Sequence, residues 1–277
     1  MDPFFAPSLL GCALGGAAAG LLGAYVVGMR IPFMTVTAAH AALAGGVFGQ
    51  LIGLPTMPCA LVASVAAAML IGTMPRRALS LDTNISMAVV FAATMGLVFL
   101  GIGLSSRSKT PMLQLLWGSP LFITGRDLAA LAILAGLLIA FAVVFGKEMK
   151  AIVFSRELAR YCGVHEGLVW GLFLALAGAT LTVNLATVGG LMVFALVTCP
   201  AAAAYQVCGS WRAVVVASPV VGAGCALGGL GLAYAADLPA GATIVLLSCL
   251  VFGLSAGLRA LRDRGAAGPS RAGSASG

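Results

Sequence analysis

Apolar residues run through this chain in long blocks, broken only where charges, prolines or polar clusters intervene. A helix needs about 20 mostly apolar residues to cross a bilayer's hydrocarbon layer, so each block reads as a transmembrane helix. Nine spans are predicted, over residues 9–28, 32–52, 58–74, 85–104, 128–146, 168–184, 188–207, 213–235 and 241–258. The sixth and seventh are divided only by a turn signal at Asn184 to Thr187, and eight spans is the alternative. The pattern therefore predicts an all-α integral membrane protein, a polytopic helical bundle occupying residues 1–264. From Gly265 onward, Gly, Ala, Ser and Pro with a single Arg271 offer no apolar face to bury, and 265–277 is expected to be a disordered cytoplasmic tail.

Composition removes the soluble alternative. Hydrophobic residues make up 61% of the chain, charged residues 8%, and the mean hydropathy is +1.10. The longest loops, 105–127 and 147–167, are too short to hold a soluble domain. Charge then sets an orientation, because short cytoplasmic loops collect lysine and arginine. One assignment gathers Arg30, Arg76, Arg77, Lys147, Lys150, Arg156, Arg160, Arg212 and the four arginines from Arg259 to Arg271 on one side, which is 12 of the 15 basic residues. Only Arg107, Lys109 and Arg126 fall on the other. The N-terminus is thus expected outside and the C-terminus inside, and the net charge of +7 is a topology signal that needs no nucleic acid. The start, Met1-Asp2-Pro3, lacks the basic region of a cleaved leader, so the first span is expected to be retained.

Seven cysteines without a C-x-x-C pair read as apolar fillers, and the methionines at 34, 57, 112 and 192 as gap-fillers. Small residues four apart, as in Gly16 and Gly20, Gly49 and Gly53, and Gly224 and Gly228, predict closely packed helices.

The eight carboxylates all fall in loops, termini or span edges. An ion-coupled transporter needs an ionisable or coordinating group near the midplane. Here only His40, set in the uncharged run 31–54, could serve, so the energy for transport is expected to come from elsewhere. No G-x-x-x-x-G-K-[ST] sequence is present, and Gly146-Lys147 is followed by Glu148. Nucleotide hydrolysis would belong to a partner subunit, which needs a docking site. The loop after the fifth span offers one: an amphipathic helix over 155–163, ended by Gly163, with Phe154, Leu158 and Tyr161 on one face and Arg156, Glu157 and Arg160 polar. On physical grounds alone this helix could lie on the membrane or plug into another protein.

Taken in order, these segments resemble the permease subunits of metal-type ABC transporters, the zinc, manganese and iron uptake class. Phe154, Glu157, Ala159 and Gly163 match that family's F-x-x-E-x-A-x-x-x-G segment, which forms the helix that couples to the ATPase. The run from Thr187 to Ala204 is similar to its V-G-x-x-L-x-x-A-L-x-x-x-P-A-A-x-A pattern, and the run from Leu238 to Val245 to its P-x-G-A-x-I-V-L pattern. Leu116 to Ser119, Ile123, Thr124 and Asp127 resemble its F-G-S segment, and His40 to Gly45 its H-x-x-L-P-G. The resemblance implies the metal-type importer permease fold. It implies ATPase coupling through Phe154, Arg156, Glu157, Leu158, Ala159 and Gly163, and a pore position for His40. It further implies an ABC ATPase subunit that binds the ATP, no cofactor and no catalytic residue in this chain, an extracytoplasmic metal-binding protein, a second permease copy as homodimer or heterodimer, and residence among lipid in the bacterial cytoplasmic (inner) membrane.

One position departs from the pattern. Many relatives carry an aspartate four residues before the histidine, on the same helix face; here it is Val36, flanked by the neutral hydroxyls of Thr35 and Thr37. A lone imidazole supplies at most one ligand, and the plain alternative for His40 is a bond to a carbonyl of a neighbouring helix. Thr198 and Cys199, before Pro200, are weaker pore candidates, since a proline in a span frees a carbonyl or merely kinks the helix. A permease for a metal chelate, of siderophore or cobalamin type, is the alternative function that Val36 would suit. An intramembrane enzyme is disfavoured by the lack of H-E-x-x-H, paired intramembrane aspartates or G-x-S-x-G, and a scaffold by the coupling-like loop.

Overall fold

Each apolar block becomes a helix because a backbone in lipid must satisfy its own N–H and C=O groups. The structure, a computed structural model, describes residues 5–73, 83–105, 123–187 and 189–266. These form eleven helices: α1 Phe5–Gly28, α2 Phe33–Leu51, α3 Thr56–Thr73, α4 Thr83–Leu104, α5 Gly125–Val144, α6 Gly146–Phe154, α7 Arg156–Tyr161, α8 Glu166–Thr187, α9 Gly190–Val207, α10 Trp211–Ala236 and α11 Ala240–Ala266. Arg76, Arg77, Arg107, Lys109, Met112, the segment Leu116 to Ser119 and the tail from residue 267 lie outside the described residues.

The span count differs from the sequence expectation. Among the described residues six helices are long and apolar enough to cross a membrane: α1, α4, α5, α8, α10 and α11. Two more, within α3 and α9, are apolar but shorter. Helix α2 falls outside the six because His40, Gln50 and two threonines dilute its apolar residues. Its middle is enclosed, buried at nearly every position from Met34 to Val47, so its polar groups meet protein and not lipid. The division between α8 and α9 lies later than expected. Asn184 continues α8, its amide donating to the Thr180 carbonyl at 3.0 Å, and the break comes at Gly189, whose φ of 103° favours glycine. The stretch 147–167, read as a loop, instead holds α6 and α7.

The core sits around α1 and α8. Glycines bring α1 onto α10 as the four-residue spacing predicts: a Cβ on Gly16 would strike the Gly222 carbonyl, and one on Gly20 the Ser218 carbonyl. The same logic does not extend to Gly224, which faces open space, and Gly53 serves a turn at φ 78°. At one end of the bundle an aromatic cluster locks α1, α8 and α10 together, with Tyr25 edge-on to Phe173 at 5.8 Å and to Trp211 at 5.6 Å. Tyr205 at the end of α9 donates to the Ala24 carbonyl at 2.9 Å, and Arg259 of α11 donates to Gln206 at 2.9 Å. The last turns of α1, α9 and α11 therefore meet the first turns of α8 and α10 at one end, the end that carries Arg30, Arg156, Arg160, Arg212 and Arg259. On the outside, α11 presents Leu246, Leu250, Leu254 and Leu258 at four-residue spacing, an exposed apolar stripe suited to lipid.

Candidate functional site

Two sets of residues carry the chemistry, one inside the bundle and one at its basic end. Inside, α2 holds His40 at 3% exposure. Its Nδ1 lies 2.8 Å from the Val36 carbonyl. A carbonyl only accepts, so Nδ1 carries a proton, and in the neutral ring Nε2 then keeps its lone pair, with no hydrogen-bond partner among the described residues. The partner is thus a carbonyl of the same helix and not of a neighbour, as the plain alternative supposed. The ring meets Phe91 of α4 edge-on at 4.8 Å. This is the tautomer a metal-ligating imidazole uses, its second nitrogen held by a backbone carbonyl.

The threonines beside it are already committed. Thr35 donates to the Pro32 carbonyl at 2.7 Å, while Thr37 reaches the Phe33 carbonyl at 3.0 Å and the Met87 carbonyl of α4 at 3.3 Å. Thr198 and Cys199 sit apart on α9. The Thr198 hydroxyl is buried without a hydrogen-bond partner, and Cys199 faces Cys249 of α11 with sulfurs 3.9 Å apart. No described hydrogen bond or ring contact joins them to His40. Among the described residues no group of three or more His, Cys, Asp and Glu side chains is placed to hold a metal ion.

At the basic end, the helix expected over 155–163 is the shorter α7, Arg156–Tyr161, preceded by a separate helix, α6, that ends at Phe154. Ser155 adopts an extended conformation, φ −161° and ψ 119°, and caps α7 by accepting from the Leu158 N–H at 3.3 Å. Phe154 thus ends α6 instead of opening α7. Even so, Phe154, Leu158 and Tyr161 all project outward, 87%, 55% and 88% exposed. Ala159 is buried beneath them, and Gly163, at φ 79°, turns the chain back toward α8. Glu157 lies in α7, its side chain outside the described structure.

Arg156 does not join the outward face. It turns inward, lies over the Trp170 ring at 4.5 Å, and donates to Glu166 and to the Gly72 carbonyl of α3. Arg160 binds the other Glu166 oxygen at 2.9 Å, and Trp170 donates to the same Gly72 carbonyl at 2.9 Å. Glu166, read as a loop carboxylate, is buried at 4% exposure. Two guanidiniums neutralise that single carboxylate, which ties α7 to α3 and α8. The separations of ten and six residues in the chain match no local helical spacing, so no periodicity signals this clamp. His165 beside it is exposed. The motif before α5 is also structural: Thr124 and Asp127 form a reciprocal capping box, with Thr124 N–H donating to Asp127 at 3.0 Å.

Comparison with known proteins agrees with this architecture. The chain is 25% identical over 249 residues to a probable metal transport system membrane protein of Thermotoga maritima, covering 90% of this chain and 88% of that protein. It is 26% identical over 250 residues to the manganese transport system membrane protein MntC of Listeria monocytogenes, at 90% and 88% coverage. Its fold is similar to PsaBC from Streptococcus pneumoniae, solved in complex with Fab, with a TM-score of 0.81 and 22% identity over 92% of this chain and 91% of that one. The model of the ABC 3 transport family matches residues 1–258, and the chain belongs to that family.

Proposed function

We propose that this ABC transporter permease imports a divalent transition-metal ion of the manganese, zinc or iron class across a bacterial cytoplasmic membrane. In this reading α2, α3 and α9 cross the membrane together with the six longer apolar helices, and the basic end faces the cytoplasm. Two copies, or this chain and a similar permease, enclose a pathway between them. An extracytoplasmic binding protein delivers the ion, and ATPase subunits supply the ATP binding and hydrolysis for which this chain has no P-loop.

The observation that carries the reading is the docking face. Three large apolar or aromatic side chains are exposed at the basic end, Leu158 and Tyr161 on α7 and Phe154 at the end of α6, and α7 is fastened to the bundle through Glu166. A partner seated there can push α3 and α8 directly, which is the mechanical link that alternating access requires. His40 offers Nε2 to the ion as it passes, one ligand among carbonyls and water. A metal chelate is the second reading, favoured by Val36, which leaves that face without a carboxylate for a bare cation.

Metal content of cells lacking this gene and redundant uptake systems tests the reading. Under limitation, one transition metal should fall several-fold, the wild-type gene should restore it, and His40→Ala should restore much less at equal expression. Unchanged content of every metal would remove the bare-ion cargo.

A further inference from the structure

The basic end holds a cavity of about 940 Å³, bordered by the docking segment, to which the transport reading assigns no ligand. Arg30, Lys147, Lys150 and Arg156 line it, and among the described residues no carboxylate does. Arg156 is neutralised by Glu166, whereas Arg30, Lys147 and Lys150 make no ion pair among the described residues. Three exposed cations without an ion-pair partner border one cavity, and their summed potential favours an anion there.

Two further features narrow the ligand. Arg30 holds a left-handed φ of 60°, a conformation glycine adopts freely and arginine does not, so the turn between α1 and α2 carries strain at the residue whose cationic side chain lines the cavity. Beside the cations the lining is mainly apolar: Met29, Ile31 and Trp211 are partly exposed, while Met34, Ile71 and Met87, which also line it, are buried. A free inorganic anion has no use for such a lining. A phosphate ester on an acyl chain fits both halves, and basic pockets between membrane helices bind such headgroups.

We propose that this cavity is a binding site for one anionic phospholipid, its phosphate among Arg30, Lys147 and Lys150 and its chain along Ile31 and Trp211. Because Ser155, Leu158 and Ala159 also line the cavity, the lipid would lie directly against α7. The proposal rests on the membrane reading and not on the cargo.

Native mass spectrometry of the delipidated full chain in detergent tests it, with phosphatidylglycerol, phosphatidylethanolamine and inorganic phosphate as probes. The wild type should retain one phosphatidylglycerol at concentrations at least tenfold below those needed for phosphatidylethanolamine. Each cation near a headgroup contributes about fivefold, so Arg30→Ala with Lys147→Ala should weaken phosphatidylglycerol retention about 25-fold. Phosphatidylethanolamine retention should stay the same in that variant, and the charge-keeping pair Arg30→Lys, Lys147→Arg should retain the anionic lipid. Arg262→Ala with Arg264→Ala, on the last turns of α11, should bind as the wild type does. Undiminished phosphatidylglycerol retention in the alanine pair, or its loss in the charge-keeping pair, would overturn the proposal. So would thermal stabilisation by inorganic phosphate equal to that by the lipid.

Discussion

The double variant Phe154→Asp, Leu158→Asp should fold as the wild type does, yet lose its ATPase partner and all ATP-driven transport. Both side chains are mostly exposed in the free chain, so aspartates there should disturb the fold little. At a partner interface the same positions are enclosed. Burying a phenylalanine and a leucine fully is worth about 1.5–3 kcal/mol each, and an aspartate in the same pocket must also be stripped of water. Taking about 3–5 kcal/mol for the pair, the partner's affinity should fall by roughly two to three and a half orders of magnitude. Co-purification of the ATPase on the tagged chain, beside thermal unfolding of the chain alone, measures both halves of the expectation. Wild-type retention of the ATPase would show that α7 is not its seat.

Glu166→Gln should produce the opposite pattern, with the partner held and the work lost. The docking residues remain, but the charge that two arginines share is gone. Hydrogen bonds to a charged group contribute about 1.5–3 kcal/mol. The Arg156 arm is partly buried, while the Arg160 side chain is 75% exposed and counts for little once solvent screening is included. A loss of about 1.5–3 kcal/mol shifts the equilibrium between seated and unseated α7 by roughly ten- to a hundredfold toward the unseated form. ATP hydrolysis by the docked partner should then continue while transport per ATP falls at least tenfold. Arg160→Gln, touching only the exposed arm, should have a much smaller effect. Coupled transport in Glu166→Gln would mean that α7 is held by its buried Ala159 and its backbone alone.

These expectations rest on features that the sequence discloses unevenly. The apolar runs place the long helices because lipid leaves the backbone no other partner, and a chain read in local windows reveals them directly. The outward face of α7 is legible for the same reason: spacings of four and three residues are local, and Phe154, Leu158 and Tyr161 all emerge although Phe154 ends the preceding helix. Helix α6 is not legible as a helix of the bundle. Lys147, Glu148 and Lys150 mark it as a loop, yet Met149 and Ile152 bury one side of it. Arg156 reads as part of a polar face, and only the fold shows that its guanidinium turns inward to a glutamate ten residues on. Cys199 and Cys249 meet across fifty positions for the same reason, a tertiary juxtaposition with no local trace. At His40 the residue is legible and its surroundings are not. The bond to Val36 O is a helical i−4 contact that any backbone offers, whereas the enclosure by Phe91 depends on how α4 packs.

The central claim is that this chain is the membrane path of an ATP-driven metal importer. The most direct measurement reconstitutes it in lipid vesicles with its ATPase and binding protein, and follows manganese, zinc and iron inside the vesicles by elemental analysis, with and without ATP. The account predicts ATP-dependent accumulation of one of these ions, delivered from the binding-protein side and abolished by Phe154→Asp, Leu158→Asp. Steady ATP hydrolysis that depends on the chain, with none of the three ions accumulating, would contradict it.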